Sequence, residues 1–137
     1  MRSQLQVAAL LGLLSALGAH TAHADVVVIV SAKASVASLS AQQITDIFLG
    51  RSFAMRPLDN ADKSQIRDRF CSGVLGKDDA QIKAIWGKLV FSGRARPPKL
   101  LPSDAEVVKA VAAGAESIGY VEKSSVDSSV KVIFEAK

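Results

Sequence analysis

Leu58-Asp59-Asn60-Ala61-Asp62-Lys63-Ser64-Gln65-Ile66-Arg67-Asp68-Arg69-Phe70 reads as a strand end, a polar loop and the first turns of a helix. Asp62 and Ser64 are both suitable N-cap residues, because their side-chain oxygens accept from the orphan N–H groups of a first helical turn. Ile66, Phe70 and Val74 recur at spacing four and so share one buried face. A loop that feeds a helix N-terminus gathers free N–H groups at the positive end of the helix dipole, which favours an anion. Lys63, Arg67 and Arg69 add positive charge nearby. Most capped helix starts bind nothing, however, and basic residues on an exposed helix face are ordinarily just solvated.

Outward from this stretch, strands and helices alternate. Val26-Val27-Val28-Ile29-Val30 is an unbroken β-branched run, which suits a strand buried on both faces of a parallel sheet flanked by helices. The Ser31–Ser38 segment is a small, polar loop. Ser40 with Gln43 forms a capping box for a helix whose apolar stripe is Ile44, Ile47 and Phe48, with Gly50 as terminator. The helix of the opening stretch ends near Gly73–Gly76. Asp78 or Asp79 caps the next one, where Ile82, Ile85, Trp86, Leu89 and Val90 form the strongest helical stripe in the chain. Trp86 on this stripe is a core residue rather than a ligand platform. Arg94 and Arg96 sit in a Gly/Pro-containing loop and read as solvent-exposed.

Lys99-Leu100-Leu101 is a short strand. Ser103 and Glu106 form a second capping box, opening a helix with Val107, Val108 and Val111 inside. Ser117–Glu122 is a strand whose Gly119 permits close backbone approach, and Val130–Phe134 is the last strand. The expected fold is a three-layer α/β/α domain with a mostly parallel sheet.

Residues 1–24 read as a cleaved secretory signal peptide. Arg2 gives a positive n-region, Val7–Leu17 an apolar core too short to span a membrane, and Ala22-His23-Ala24 a small-x-small cleavage site. No Cys at the end of the apolar core marks a lipoprotein anchor. The expected location is the periplasm, with a single domain over residues 25–137. Of 137 residues, removing the first 24 leaves 113, enough for one real core. Losing Arg2 lowers the formal charge from +4 to +3. That mild excess, without like-charge blocks or aromatic–basic interleaving, does not point to nucleic acid.

Cys71 stands alone, so residues 25–137 have no internal disulfide, and its place beside Phe70 marks it as a core residue. His20 and His23 both fall in the leader. A Ser-His-Asp unit, a Cys-His unit and a His-ligated zinc site are thereby excluded from the mature chain. No acidic cluster resembles a metal cage. Neither a cofactor nor a metal site is expected, and the chain is not expected to be an enzyme.

The order of motifs resembles the phosphate-binding proteins of ABC transporters. Leu39-Ser40 followed by Ile44-Thr45-Asp46-Ile47-Phe48-Leu49-Gly50-Arg51 is similar to that family's "LS…(L/I)xxIFLG(K/R)" helix. Asp62-Lys63-Ser64 falls where the family carries its "SDGSGT" phosphate loop. Ala115-Glu116-Ser117-Ile118-Gly119-Tyr120-Val121-Glu122 is similar to its "xxxIGYVE" segment. The resemblance implies a type 2 periplasmic-binding-protein fold, but this chain is less than half the family's length, so it implies a short, single-lobe member. It further implies a phosphate or oxyanion site at the helix N-terminus, formed by Asp62, Lys63, Ser64, Gln65 and Arg67. Against "SDGSGT" the chain reads Ala61-Asp62-Lys63-Ser64-Gln65-Ile66: two hydroxyls and both glycines have gone, while Asp62 and Ser64 remain. A site open to water, without a second lobe, is expected to bind at about millimolar strength, roughly −4 kcal/mol. The alternative is a non-enzymatic interaction or sensory module that keeps the lobe for its surface, its ligand loop vestigial. The partners so implied are a small anion such as phosphate, and either a periplasmic protein or a second copy of the chain.

Overall fold

The computed structural model describes residues 25–61 and 64–136. The leader expected over residues 1–24, together with Asp62 and Lys63 of the loop, lies outside the described residues. Five strands, β1 (Val26–Ser31), β2 (Arg56–Asp59), β3 (Lys99–Leu100), β4 (Ser117–Glu122) and β5 (Val130–Glu135), form one sheet in the order β3-β2-β4-β1-β5. The helices are α1 (Ala41–Phe48), α2 (Gln65–Phe70), α3 (Asp79–Phe91) and α4 (Asp104–Ala113). A π turn over Cys71–Leu75 continues α2 without a break.

Every residue of β1 is buried. Val26, Val28 and Val30 face a cluster built from α1, α2, the π turn and α3, while Val27 and Ile29 face Val107, Val108 and Val111 of α4. Helices therefore cover both faces, giving the expected three layers. The expectation of a mostly parallel sheet needs correction. β2 runs parallel to both β3 and β4, but β1 is antiparallel to β4 and to β5. Four strands thus point one way and the interior strand β1 the other. An unbroken apolar run reports burial on two faces, and a central strand has that burial whichever way it points.

The N-caps fall where the sequence puts them, except that the box expected at Ser103 and Glu106 is half made: Ser103 Oγ accepts the Glu106 N–H at 3.3 Å without the return bond. Ser40 and Gln43 make a reciprocal capping box on α1, as do Asp78 and Gln81 on α3. Gly50 follows α1 at φ 73°, and a Cβ there would come within 2.7 Å of Leu89 Cδ1 and 3.0 Å of the Trp86 ring, so α3 crosses the end of α1 against bare backbone. Trp86 is a core residue whose indole N–H donates to the Phe48 carbonyl at 3.0 Å. The α3 stripe is only partly inside. Ile82 and Trp86 are buried, but Val90 is 50% exposed and Phe91 beside it 94% exposed, because the last turn of α3 stands out in solvent. No described helix is long and apolar enough to cross a membrane.

Candidate functional site

β2 and β3 are parallel neighbours, and each feeds a helix, α2 and α4 respectively. The connections leave from the carboxyl ends of the strands, which is where open α/β sheets place ligands. Asn60, the first residue after β2, is 2% exposed and holds these connections together. Its Nδ2 donates to Asp104 Oδ1 at 2.6 Å, and its Oδ1 accepts the Ala61 N–H at 2.8 Å. Its own backbone N–H is shared between Asp59 Oδ1 at 3.0 Å and the Tyr120 hydroxyl at 3.2 Å. The Tyr120 hydroxyl in turn donates to Asp59 Oδ1. Asp104 Oδ2 accepts from the Glu122 N–H at 2.9 Å and from Ser125 Oγ at 3.0 Å. Three separate stretches of chain thus fix the start of the loop, each buried polar group having a partner.

Ser64 is the N-cap of α2. Its Oγ accepts the Arg67 N–H at 3.2 Å, its carbonyl accepts the Asp68 N–H at 3.1 Å, and its own N–H donates to the Ala61 carbonyl at 3.2 Å. Helix geometry leaves the N–H groups of Gln65 and Ile66 without an intrahelical carbonyl. Gln65 is exposed on this turn.

Arg67 is placed differently from its sequence expectation. Its side chain does not lie on the open helix end but is buried, 7% exposed, between two carboxylates. Its Nη1 is 2.7 Å from Asp79 Oδ1, and its Nε is 3.4 Å from Asp59 Oδ2. Asp79 also pairs with Lys83 at 2.8 Å. Burial works against the Arg67 charge, but Asp59 and Asp79 more than offset it, so the guanidinium is held in its charged form. Burial raises the Asp59 carboxyl above the usual carboxylate range. The Tyr120 donor, Arg67 and the Asn60 N–H pull it back only in part. Burial, followed by the negative charge of Asp59, pushes the Tyr120 phenol up as well. A cavity of about 150 Å³ opens beside this cluster, lined by Asp59, Arg67, Lys83, Trp86 and the Pro97-Pro98 pair among others.

The structure therefore brings Ser64, Gln65 and Arg67 onto one turn, with the Arg67 charge turned inward. Asn60, Asp79, Asp104 and Tyr120 complete the surroundings; the sequence offers Asp79 as a candidate cap and Tyr120 as part of the IGYVE-like segment, but nothing in it joins them to the loop. The Ser31–Ser38 segment does not cover the loop. Val30 pairs with Ile118, as Pro57 does, so this segment leaves the sheet at the end opposite Asp59. Among the described residues, no group of three or more His, Cys, Asp or Glu could hold a metal ion.

No protein-family model and no curated protein sequence matches the chain. Solved structures do. An ABC-type phosphate transport receptor from Vibrio cholerae superposes with a TM-score of 0.62 at 18% identity, over 80% of this chain and 45% of the receptor. A Clostridium perfringens protein assigned to the phosphate ABC transporter substrate-binding proteins, with phosphate bound, gives 0.65 at 20% identity, over 80% and 44%. PstS from Borrelia burgdorferi gives 0.59 at 13% identity, over 80% and 46%. The chain has the fold of these substrate-binding proteins and spans less than half the length of each. At such identities the likeness establishes the fold alone, and function has to be argued from the site.

Proposed function

We propose that this protein is a non-enzymatic, periplasmic phosphate- or oxyanion-binding protein that takes its ligand at the loop between β2 and α2. The reading is carried by one observation: the chain shares its fold with phosphate-transport binding proteins, and the connection from β2 to α2, which begins at Asn60, leaves the carboxyl end of a parallel strand. The N–H groups of Gln65 and Ile66 and the Ser64 hydroxyl are the donors suited to an anion. They head a continuous helical run, the six residues of α2 and the five of the π turn, whose dipole favours negative charge. Asp62 is assigned to accept from a protonated phosphate oxygen and Lys63 to supply charge. Arg67 belongs to the site through position: its cationic head, matched by Asp59 and Asp79, fixes the first turn rather than clamping the ligand. Periplasmic location rests on the leader read in residues 1–24.

The matched Arg67 charge also favours a second reading, an interaction module with a vestigial ligand loop. Calorimetry with inorganic phosphate and sulfate, together with amide NMR, separates the two. Binding in the millimolar range with shifts at Gln65 and Ile66, weakened about tenfold in Ser64→Ala, supports the first reading. Silence in both measurements at tens of millimolar phosphate, roughly tenfold above the expected dissociation constant, removes it.

A further inference from the structure

A second concave surface runs along β2 from Arg56 to Leu58; it shares Trp86, Pro97 and Pro98 with the cavity beside Arg67 but includes none of Ser64, Gln65 or Arg67. Two cavities, about 290 and 560 Å³, meet there and share Arg56, Pro57 and Arg96 as common wall. The first is floored by Ile47, Met55 and Trp86, with Phe53 on its rim. The second is walled by Leu58, Pro97, Pro98 and Leu101. Phe53 is 77% exposed, a large apolar group left in water beside an apolar floor.

The charges at the junction are unmatched. Arg51 pairs with Asp46 at 3.7 Å and Arg67 with Asp59 and Asp79. Arg56 and Arg96, by contrast, make no side-chain hydrogen bond or ion pair among the described residues. Lys99 adds a third cation to the second cavity, and Glu116 is the acidic residue in the lining of the first. Two planar guanidinium groups facing a groove, each with its full set of donors to place, are suited to carboxylates.

We propose that this groove docks an extended segment of a partner protein in which acidic and apolar side chains alternate. Carboxylates would pair with Arg56 and Arg96, and apolar side chains would fill the two cavities and cover Phe53. The shape argues for a peptide over a small molecule. Pockets for small ligands enclose most of the ligand's surface, whereas here two open cavities lie end to end with the cations between them, as alternate side chains of an extended chain require. Neither cavity is lined by Ser64, Gln65 or Arg67, and Arg56 at the start of β2 stands about 10 Å along the strand from Asp59 at its end.

Fluorescence anisotropy tests this with a labelled octapeptide alternating Glu with Leu or Phe, against the same peptide carrying Lys in place of Glu. The acidic peptide is expected to bind at least tenfold tighter than the basic one and to change the emission of Trp86, the sole tryptophan. Arg56→Glu/Arg96→Glu should weaken it at least tenfold, and so should Arg96→Glu alone to a smaller extent. Inorganic phosphate at matched ionic strength should not displace it, which separates this surface from the oxyanion loop. Circular dichroism confirms that each variant is folded. Equal binding of both peptides, unchanged affinity in folded Arg96→Glu and double variants, displacement by phosphate, or no binding of the acidic peptide at millimolar concentration would each overturn the proposal.

Discussion

Asn60 Nδ2 lies 2.6 Å from Asp104 Oδ1, so a single buried amide ties the loop after β2 to the first turn of the helix after β3. The two residues are 44 positions apart in the chain. Through Asp104 the tie extends to the Glu122 backbone and Ser125 Oγ. The candidate ligand loop therefore starts from a point that cannot shift without disturbing α4 and the end of β4.

Asn60→Ala leaves Asp104 Oδ1 and the Ala61 N–H without their partner and removes a fully buried polar side chain. Loss of two such bonds costs about 2 kcal/mol, read as a lower urea midpoint with an unchanged slope. Phosphate titration of the same variant should show weaker binding, because the loop loses its anchor. An unchanged midpoint would show that water replaces the amide at no cost.

Arg67→Met leaves the largely buried Asp59 without its cationic partner and Asp79 with Lys83, and is expected to destabilise by about 3 kcal/mol. The deficit should depend on pH. Asp59 is already raised in the native state, so its protonation contributes stability that is complete below the unfolded value and is lost as pH rises through the native one. Removing Arg67 takes away one of the groups holding that native value down and moves it higher. Denaturation at acid and neutral pH should therefore show the variant falling further behind the wild type as pH rises; a deficit independent of pH contradicts this account.

At Gly119 the side chains of α4 pack against bare backbone of β4. A Cβ on it would lie 2.8 Å from Val107 Cγ1 and 3.1 Å from Val111 Cγ2. Gly119→Ala should cost about 1–3 kcal/mol through overpacking, visible as a lower thermal midpoint. Trimming the opposing side chain in Gly119→Ala/Val107→Ala should recover part of the loss.

Cys71 is buried, and burial pushes its thiol from 9.0 up to about 12. Three units of pKa correspond to about a thousandfold less thiolate at pH 8. A disulfide reagent should label the native protein at least about a hundredfold more slowly than the urea-unfolded chain. Comparable rates would mean that the π turn carrying Cys71 opens readily.

What the sequence by itself determined was local or periodic. Ser40 with Gln43 marks a helix start because a side chain and a backbone three residues apart satisfy each other. Ser64 likewise caps α2, Gly76 stops the helical run within the Gly73–Gly76 stretch read to do so, and the β-branched run of β1 is buried on both faces. The order of these signals was enough for a three-layer α/β fold. The direction of β1 was not readable, since its pattern is the same forwards and backwards. The orientation of Arg67 was not readable either. A cation one turn into a helix can reach its open end or turn inward, and the choice was made by Asp59 from β2 and Asp79 from α3. Tyr120, Asn60 and Asp104 are joined across 44 to 60 positions by hydrogen bonds that have no period along the chain. Only the tertiary structure brings such partners together, because burying one polar group requires another from wherever the fold can supply it.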